Sequence, residues 1–182
     1  MFQHKARLKS LNLLFDIKCN ANTECVGDSD RLYQVLVNLL SNAIKFTDEG
    51  FVKLTIEVTN KDVAFCVSDS GIGISEQSLV SLFDAFVQAD ASISRKYGGT
   101  GLGLAISKKL VSMMGGTLSV ASTQGEGSSF YFRIPDMLVA SAPYPIISLD
   151  KPLLCVSAER NMTEAVHVLT SALSRLSVPY DV

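Results

Sequence analysis

The segment Gly98-Gly99-Thr100-Gly101-Leu102-Gly103-Leu104 decides the fold. Glycines at this density let a backbone approach phosphate groups closely. The periodic apolar run after them predicts a helix over 102–114, with its N-terminal amides and dipole aimed at the same place. The spacing rejects the two common phosphate loops. Gly98 and Gly103 fit the outer glycines of a Walker A loop, but Leu104 and Ala105 stand where Lys and Ser or Thr are required. A dinucleotide fingerprint that starts at Gly99 needs its third glycine at 104, where Leu104 stands. Taken alone, the segment reads equally as a glycine hinge.

Upstream, a predicted strand over 63–68 runs into Asp69-Ser70-Gly71-Ile72-Gly73. Alone this is an ordinary loop. Its chemistry also suits a flat base: a buried carboxylate accepts from an exocyclic amine, and Gly71 and Gly73 let backbone pack against the ring. Adenine offers an amine there. Guanine offers a carbonyl oxygen, which a carboxylate repels.

Further upstream, Gly27-Asp28-Ser29-Asp30 supplies an N-cap and first-turn acids for a helix over 31–46. Leu32, Val35, Leu36, Leu39 and Ala43 form its apolar stripe. Asn38, Asn42 and Lys45 share the opposite face at i, i+4 and i+7. Asparagine is a mediocre helix former, so two of them mid-helix need a reason. One reading is a solvated polar face. The other is a pocket whose amide oxygens meet a hard cation or polar ligand, with Lys45 facing phosphate.

The remaining elements follow from periodicity and turn chemistry. Strands are predicted over 11–19, 51–59, 117–122 and 128–134, and a short helix over 75–83. Residues 89–99 read as a mobile loop. Gln124-Gly125-Glu126-Gly127 joins the last two strands as a turn. The stretch 137–150, with Ala142-Pro143-Tyr144-Pro145, reads as a linker. Beyond it, a strand over 153–157 and a helix over 163–176 make a partial βαβ segment that cannot bury its own faces.

In this order the pieces resemble the catalytic and ATP-binding domain of sensor histidine kinases, within the GHKL superfamily and of the hybrid type. The N box is Asp30-Arg31-Leu32 through Asn38-Leu39-Leu40-Ser41-Asn42-Ala43-Ile44-Lys45-Phe46-Thr47. The G1 box is Asp69-Ser70-Gly71-Ile72-Gly73-Ile74, and the F box is Leu82-Phe83-Asp84-Ala85-Phe86. The G2 box is Gly99-Thr100-Gly101-Leu102-Gly103-Leu104, and the G3 turn is Gly125-Glu126-Gly127-Ser128-Ser129-Phe130. The boxes span roughly residues 11–135.

The resemblance implies an α+β chain with a Bergerat-type sandwich: a mixed sheet of about five strands with helices on one face. It implies ATP and Mg²⁺ as cofactors. Asn42 would ligate Mg²⁺, with Asn38 close to the ion or the phosphates, and Lys45 would meet phosphate; Asn38 and Lys45 are the catalytic candidates. Asp69 would bind the adenine amine, flanked by Gly71 and Gly73. Gly99, Gly101, Leu102 and Gly103 would offer amides to phosphate, helped by the Thr100 hydroxyl. Arg95 and Lys96, on a lid over 86–99, would reach the γ-phosphate.

The implied organisation is a catalytic and ATP-binding domain over 1–136, a linker over 137–150, and the start of a receiver-like domain over 151–182. A receiver carries an acidic pair after its first strand; here Ser157-Ala158-Glu159 stands instead. The implied partners are a dimerisation and histidine-acceptor domain of the same parent protein, and a receiver domain or response regulator. His4 lacks the flanking pattern of an acceptor histidine and reads as a linker residue.

Composition agrees. The chain has 182 residues, 47% hydrophobic and 19% charged, enough for a core and not disordered by composition. A net charge of −2 lowers the rank of nucleic-acid binding, which favours a basic excess. No run of 18 apolar residues encodes a membrane span, and Met1-Phe2-Gln3-His4-Lys5 opens no signal peptide. Cys19, Cys25, Cys66 and Cys155 form no CxxC pair and read as free thiols in a reducing cytosol. Two histidines, His4 and His167, exclude a histidine-rich metal site.

Two other functions compete. A GHKL hydrolase carries a glutamate at the Asn38 position to activate water, and asparagine cannot act as that base. A nucleotide-sensing pseudokinase would keep the same boxes without transferring phosphate.

Overall fold

The computed structural model describes residues 2–18, 24–59, 62–85 and 101–139, together with the backbone of 154–155. Helix α1 (Phe2–Leu8) leads into strand β1 (Asn12–Lys18); β2 (Glu24–Cys25) and helix α2 (Ser29–Phe46) follow. Next come the antiparallel pair β3 (Phe51–Val58) and β4 (Val63–Asp69), then the short helix α3 (Glu76–Val80). Helix α4 (Gly103–Met113) precedes the hairpin β5 (Thr117–Thr123) and β6 (Gly127–Ile134). Two short strands complete the set, β7 (Leu138–Val139) and β8 (Leu154–Cys155).

The main sheet has the order β5-β6-β4-β3-β1-β8. Strands β1 and β3 are parallel, because helix α2 carries the chain back between them. The other pairings in this sheet are antiparallel, so the sheet is mixed. Period-two alternation turns Val52, Leu54 and Ile56, then Val63, Phe65 and Val67, then Phe130, Phe132 and Ile134 onto one buried face. Phe65 and Phe132 stack across their cross-strand pair with centroids 4.8 Å apart.

Helix α2 closes this face with Leu32, Val35, Leu36, Leu39, Leu40, Ala43 and Ile44, all buried at helical spacing. Asp28 caps it by accepting from the Arg31 amide at 3.0 Å. At the other end Lys9 Nζ donates to the carbonyls of Ile44, Lys45 and Thr47 at 2.9–3.0 Å and to Asp48 Oδ1 at 3.2 Å. An ammonium there satisfies carbonyls that have no partner within the helix and offsets the negative end of its dipole.

Four features differ from the sequence reading. Helix α1 was not expected; seven residues with only Ala6 buried give too little periodicity to see. It places His4 on an exposed helix rather than in a linker. Helix α3 is shorter than 75–83, ending in turns from Ser81. The expected linker start belongs to the fold: Met137 is buried in the core, and Leu138–Val139 pairs antiparallel with Glu24–Cys25. The backbone of Leu154–Cys155 adds a sixth strand beside Phe15 and Asp16, where about five strands were expected.

Candidate functional site

Asn38, Asn42 and Lys45 lie half-buried on α2, away from the core stripe. Asn38 is not merely solvated: its Nδ2 donates to Ser107 Oγ on α4 at 2.9 Å. One turn before Ser107, Gly103 packs directly on the same carboxamide, since a Cβ there would come within 2.4 Å of Asn38 Oδ1. Any side chain at 103 would push that carboxamide aside. Asn42 sits one turn beyond Asn38 and Lys45 nearly one more. Lys45 Nζ lies 4.7 Å from the centroid of the Phe46 ring, and burial lowers its pKa. An ammonium partly withdrawn from water gains from a nearby anion.

The start of α4 lacks a side-chain cap. Leu102 occupies the cap position without a side-chain hydrogen bond, and no acid stands in the first turn. Gly101 precedes it at φ 70°. The first amides of a helix are donors without an internal partner, and the dipole favours negative charge there.

Asp69 ends β4 on the inner, helix-facing side of the sheet and is 8% exposed. Its Oδ1 accepts from the Gly71 amide at 2.9 Å. Burial raises its pKa, while backbone amides of Gly71 and Ser128 pull it down by favouring the charged form. The loop after it is fastened to α2: the Ile72 amide donates to Phe46 O at 3.2 Å. A Cβ at Gly71 would meet Phe46 O at 2.4 Å and Thr47 Oγ1 at 2.8 Å. Thr47 is fully buried and donates to Ala43 O at 2.7 Å. On the far side, the Gly125 amide donates to Ile72 O and the Ile74 amide to Ser122 Oγ. Ser122 in turn donates to Gly127 O at 2.8 Å and meets Ser128 Oγ at 3.0 Å. The β5–β6 hairpin and the glycine loop therefore lock together around Asp69.

The fold thus gathers two groups about α2. Gly101, Leu102 and Gly103 stand at the α4 start beside Asn38, and Asp69, Gly71 and Gly73 stand against the α2 C-terminus and the β5–β6 turn. Phe83, from the predicted F box, is half-buried and carries Lys108 Nζ 5.0 Å from its ring centroid. Arg95, Lys96, Gly99 and Thr100, with the whole 86–99 lid, lie outside the described residues. A hollow of about 350 Å³ opens elsewhere, among Thr55, Glu57, Cys66, Tyr131 and Arg133.

Sequence reasoning missed Ser107 and Ser122, and it quoted Thr47 and Ser128 within the N box and the G3 turn without giving either a role. The available signal for Ser107 was its place at i+4 between Gly103 and Val111, a hydroxyl on a packed helix face. Cross-strand partners such as Ser128 need the register, which spacing alone does not supply. Among the described residues, no group of three His, Cys, Asp or Glu side chains could hold a metal. The Asn38 carboxamide lies beside the α4 start and the Asn42 carboxamide one turn further along α2; their oxygens are hard ligands that suit Mg²⁺ when phosphates and water complete its shell. Among the described residues, no helix is long and apolar enough to cross a membrane. Cys25 and Cys66 are free thiols.

The family pattern described as histidine kinase-, DNA gyrase B-, and HSP90-like ATPase matches residues 27–138. The chain is 41% identical over 177 residues to the circadian input-output histidine kinase CikA of Synechococcus elongatus, covering 93% of this chain and 24% of that protein. It is 44% identical over 139 residues to the signal transduction histidine-protein kinase BarA of Escherichia coli, covering 74% of this chain and 15% of that protein. The chain therefore spans about a quarter or less of these relatives. Among solved structures it resembles full-length ShkA in complex with AMPPNP, at TM-score 0.65 and 33% identity over 78% of this chain and 28% of that one. It also resembles the catalytic domain of histidine kinase ThkA, at TM-score 0.63 and 31% identity over 74% of this chain and 85% of that one.

Proposed function

The chain belongs to the histidine kinase-, DNA gyrase B-, and HSP90-like ATPase family, and on that basis we propose that it is the ATP-binding catalytic module of a sensor histidine kinase. It would present the γ-phosphate of Mg-ATP to a histidine on a separate dimerisation and acceptor domain of its parent protein. A receiver domain or response regulator would take the phosphoryl group next, in the cytoplasm.

The observation that carries this reading is Asp69: a buried carboxylate on the inner sheet face, with glycine backbone beside it and the N-terminus of α4 across α2. Asp69 would accept from the adenine amine, with Gly71 and Gly73 against the ring. Asn42 would hold Mg²⁺, with Asn38 beside it. Lys45 would meet phosphate, as would the amides of Gly101, Leu102 and Gly103. Gly99, Thr100, Arg95 and Lys96 would complete the phosphate contacts from the lid. A bound Mg²⁺ would supply charge neutralisation between the phosphates. Phosphoryl transfer needs little covalent chemistry from the protein; it needs a held phosphate and an in-line nucleophile. This chain supplies the first. Asn38 has no basic lone pair to activate water, and its amide is engaged by Ser107, which argues against a hydrolase.

Two measurements test the reading. Calorimetry should show Mg-ATP binding and much weaker GTP binding; equal affinity for both would overturn the base assignment. Incubation with γ-labelled ATP should leave the isolated chain unlabelled, and adding a matching acceptor-helix domain should place acid-labile label on that domain's histidine. Robust label on this chain alone, lost in His4→Ala, would overturn the division of roles.

A further inference from the structure

Resting on that nucleotide site, we infer that Lys9 is a positioning residue for its adenine end, holding the last turn of α2 and, through that turn, the loop from Asp69 to Gly73. The backbone leaves α2 extended at Thr47, with φ −107° and ψ 122°. The carbonyls at this end take donors from elsewhere in the chain. Lys9 Nζ donates to Ile44 O at 3.0 Å and to Lys45 O and Thr47 O at 2.9 Å. The carbonyl among them that Lys9 leaves, Phe46 O, accepts from the Ile72 amide at 3.2 Å. An ammonium only donates and a carbonyl only accepts, so the direction of each bond is fixed. One helix end thus joins the turn after α1 to the glycine loop.

The joint leads directly to Asp69. Thr47, whose carbonyl Lys9 holds, is fully buried, and its Oγ1 stands within 2.8 Å of where a Cβ at Gly71 would lie. The Gly71 amide donates to Asp69 Oδ1 at 2.9 Å. Lys9 is itself held in place. The Leu11 amide donates to Ala6 O at 2.9 Å and the Ser10 amide to Arg7 O at 3.0 Å, with Ser10 at φ 54°. These two bonds close the end of α1 in the left-handed manner usual for helix termini, and Lys9 is the residue they fix. Without the ammonium, three carbonyls lose their donor together. A helix end whose carbonyls lack partners opens first, and the Ile72 anchor lies within that turn.

The test compares the 182-residue chain with Lys9→Met, Asp69→Ala, the double variant and Ile56→Val, which trims the buried core toward the other end of β3. Each is titrated calorimetrically with a non-hydrolysable ATP analogue, well below its melting transition. Lys9→Met should weaken binding by about three- to tenfold, as when the competent state falls to about a third to a tenth of the molecules. Ile56→Val, less stable but intact at the end of α2, should bind like the parent. On the Asp69→Ala background Lys9→Met should cost much less than on the parent, because the two residues act through one loop. In the unliganded chain Lys9→Met should speed hydrogen exchange at the Ile72 amide more than Ile56→Val does. Ile72 exchange no faster than in Ile56→Val, an affinity loss that Ile56→Val matches, or a full further loss on the Asp69→Ala background would each overturn the inference. If Lys9→Met does not fold, Lys9→Gln, with a shorter and neutral donor, carries the same test. A parent that binds the analogue while Lys9→Met binds identically overturns the inference alone. A parent that binds no adenine nucleotide overturns the function reading, and this inference with it.

Discussion

Asp69 and Ser128 are direct cross-strand partners of β4 and β6, and both turn onto the buried face of the sheet. The carboxylate therefore sits beside the turn end of a hairpin that also clasps the glycine loop. Burial in this corner outweighs the two backbone amides that favour its charge, and its pKa stands above the ordinary value.

The sign of the resulting pH dependence is fixed. An acid whose folded-state pKa is raised favours the fold most below its unfolded-state value, and that contribution is lost as pH rises through the folded-state value. Asp69→Asn should therefore melt higher than the parent at pH 7. The gap should close as pH falls to the ordinary carboxylate range. Thermal scans of the unliganded proteins across pH check this; a gap that widens on acidification would contradict it.

Adenine selection should depend on the same group. Asp69→Ala removes a charged acceptor from a buried amine and should cost about 1.5–3 kcal/mol of ATP affinity, roughly one to two decades. GTP, which carries a carbonyl oxygen where adenine has that amine, should lose far less. Competition between the two nucleotides reads the difference directly.

Asn42→Ala should weaken Mg²⁺-dependent nucleotide binding, by about tenfold if one ligand contact of hydrogen-bond size is lost. Asn42 is only half-buried and lies outside the core stripe, so the unliganded melting profile should barely move. Equal Mg-ATP affinity for variant and parent in calorimetry would remove Asn42 from the metal assignment.

Lys9→Met keeps the aliphatic stem and deletes the ammonium that gathers the last carbonyls of α2. The loss should destabilise the chain by about 1–2 kcal/mol, as for a partly buried cation at a helix C-terminus. Urea unfolding at constant slope would register it as a lower midpoint. Because the same carbonyls follow Asn42 and flank Lys45, nucleotide affinity should fall as well.

Much of this was legible in the chain itself because the signals were periodic. Leu32, Val35, Leu36 and Leu39 repeat at helical spacing, and Val52, Leu54 and Ile56 alternate as an inward strand face must. Asp69 and the glycines around it were found because their chemistry is unusual for a loop. What escaped was non-local. No spacing rule announces that Ser107 and Asn38 meet across two helices, or that Thr47 is sealed by Gly71. Strands of two residues, such as β2 and β7, are too short to show any period, and only pairing reveals them.

That last pairing has a mechanical meaning. Glu24 faces Val139 and Cys25 faces Leu138, and Val26 then donates to Met137 O at 2.7 Å. On the incoming side the chain is already part of the main sheet through β1, so only the outgoing chain leaves the fold at this ladder, at Val139. Force on the segment after Val139 would open the ladder from its Glu24–Val139 end, one rung at a time, rather than shear it all at once. The opening meets resistance at Met137, whose side chain is 4% exposed in the core with its Cε against Gly27. Two weak rungs ahead of one firm anchor form a yielding seam, and a pull on the outgoing chain meets it just before the first turn of α2.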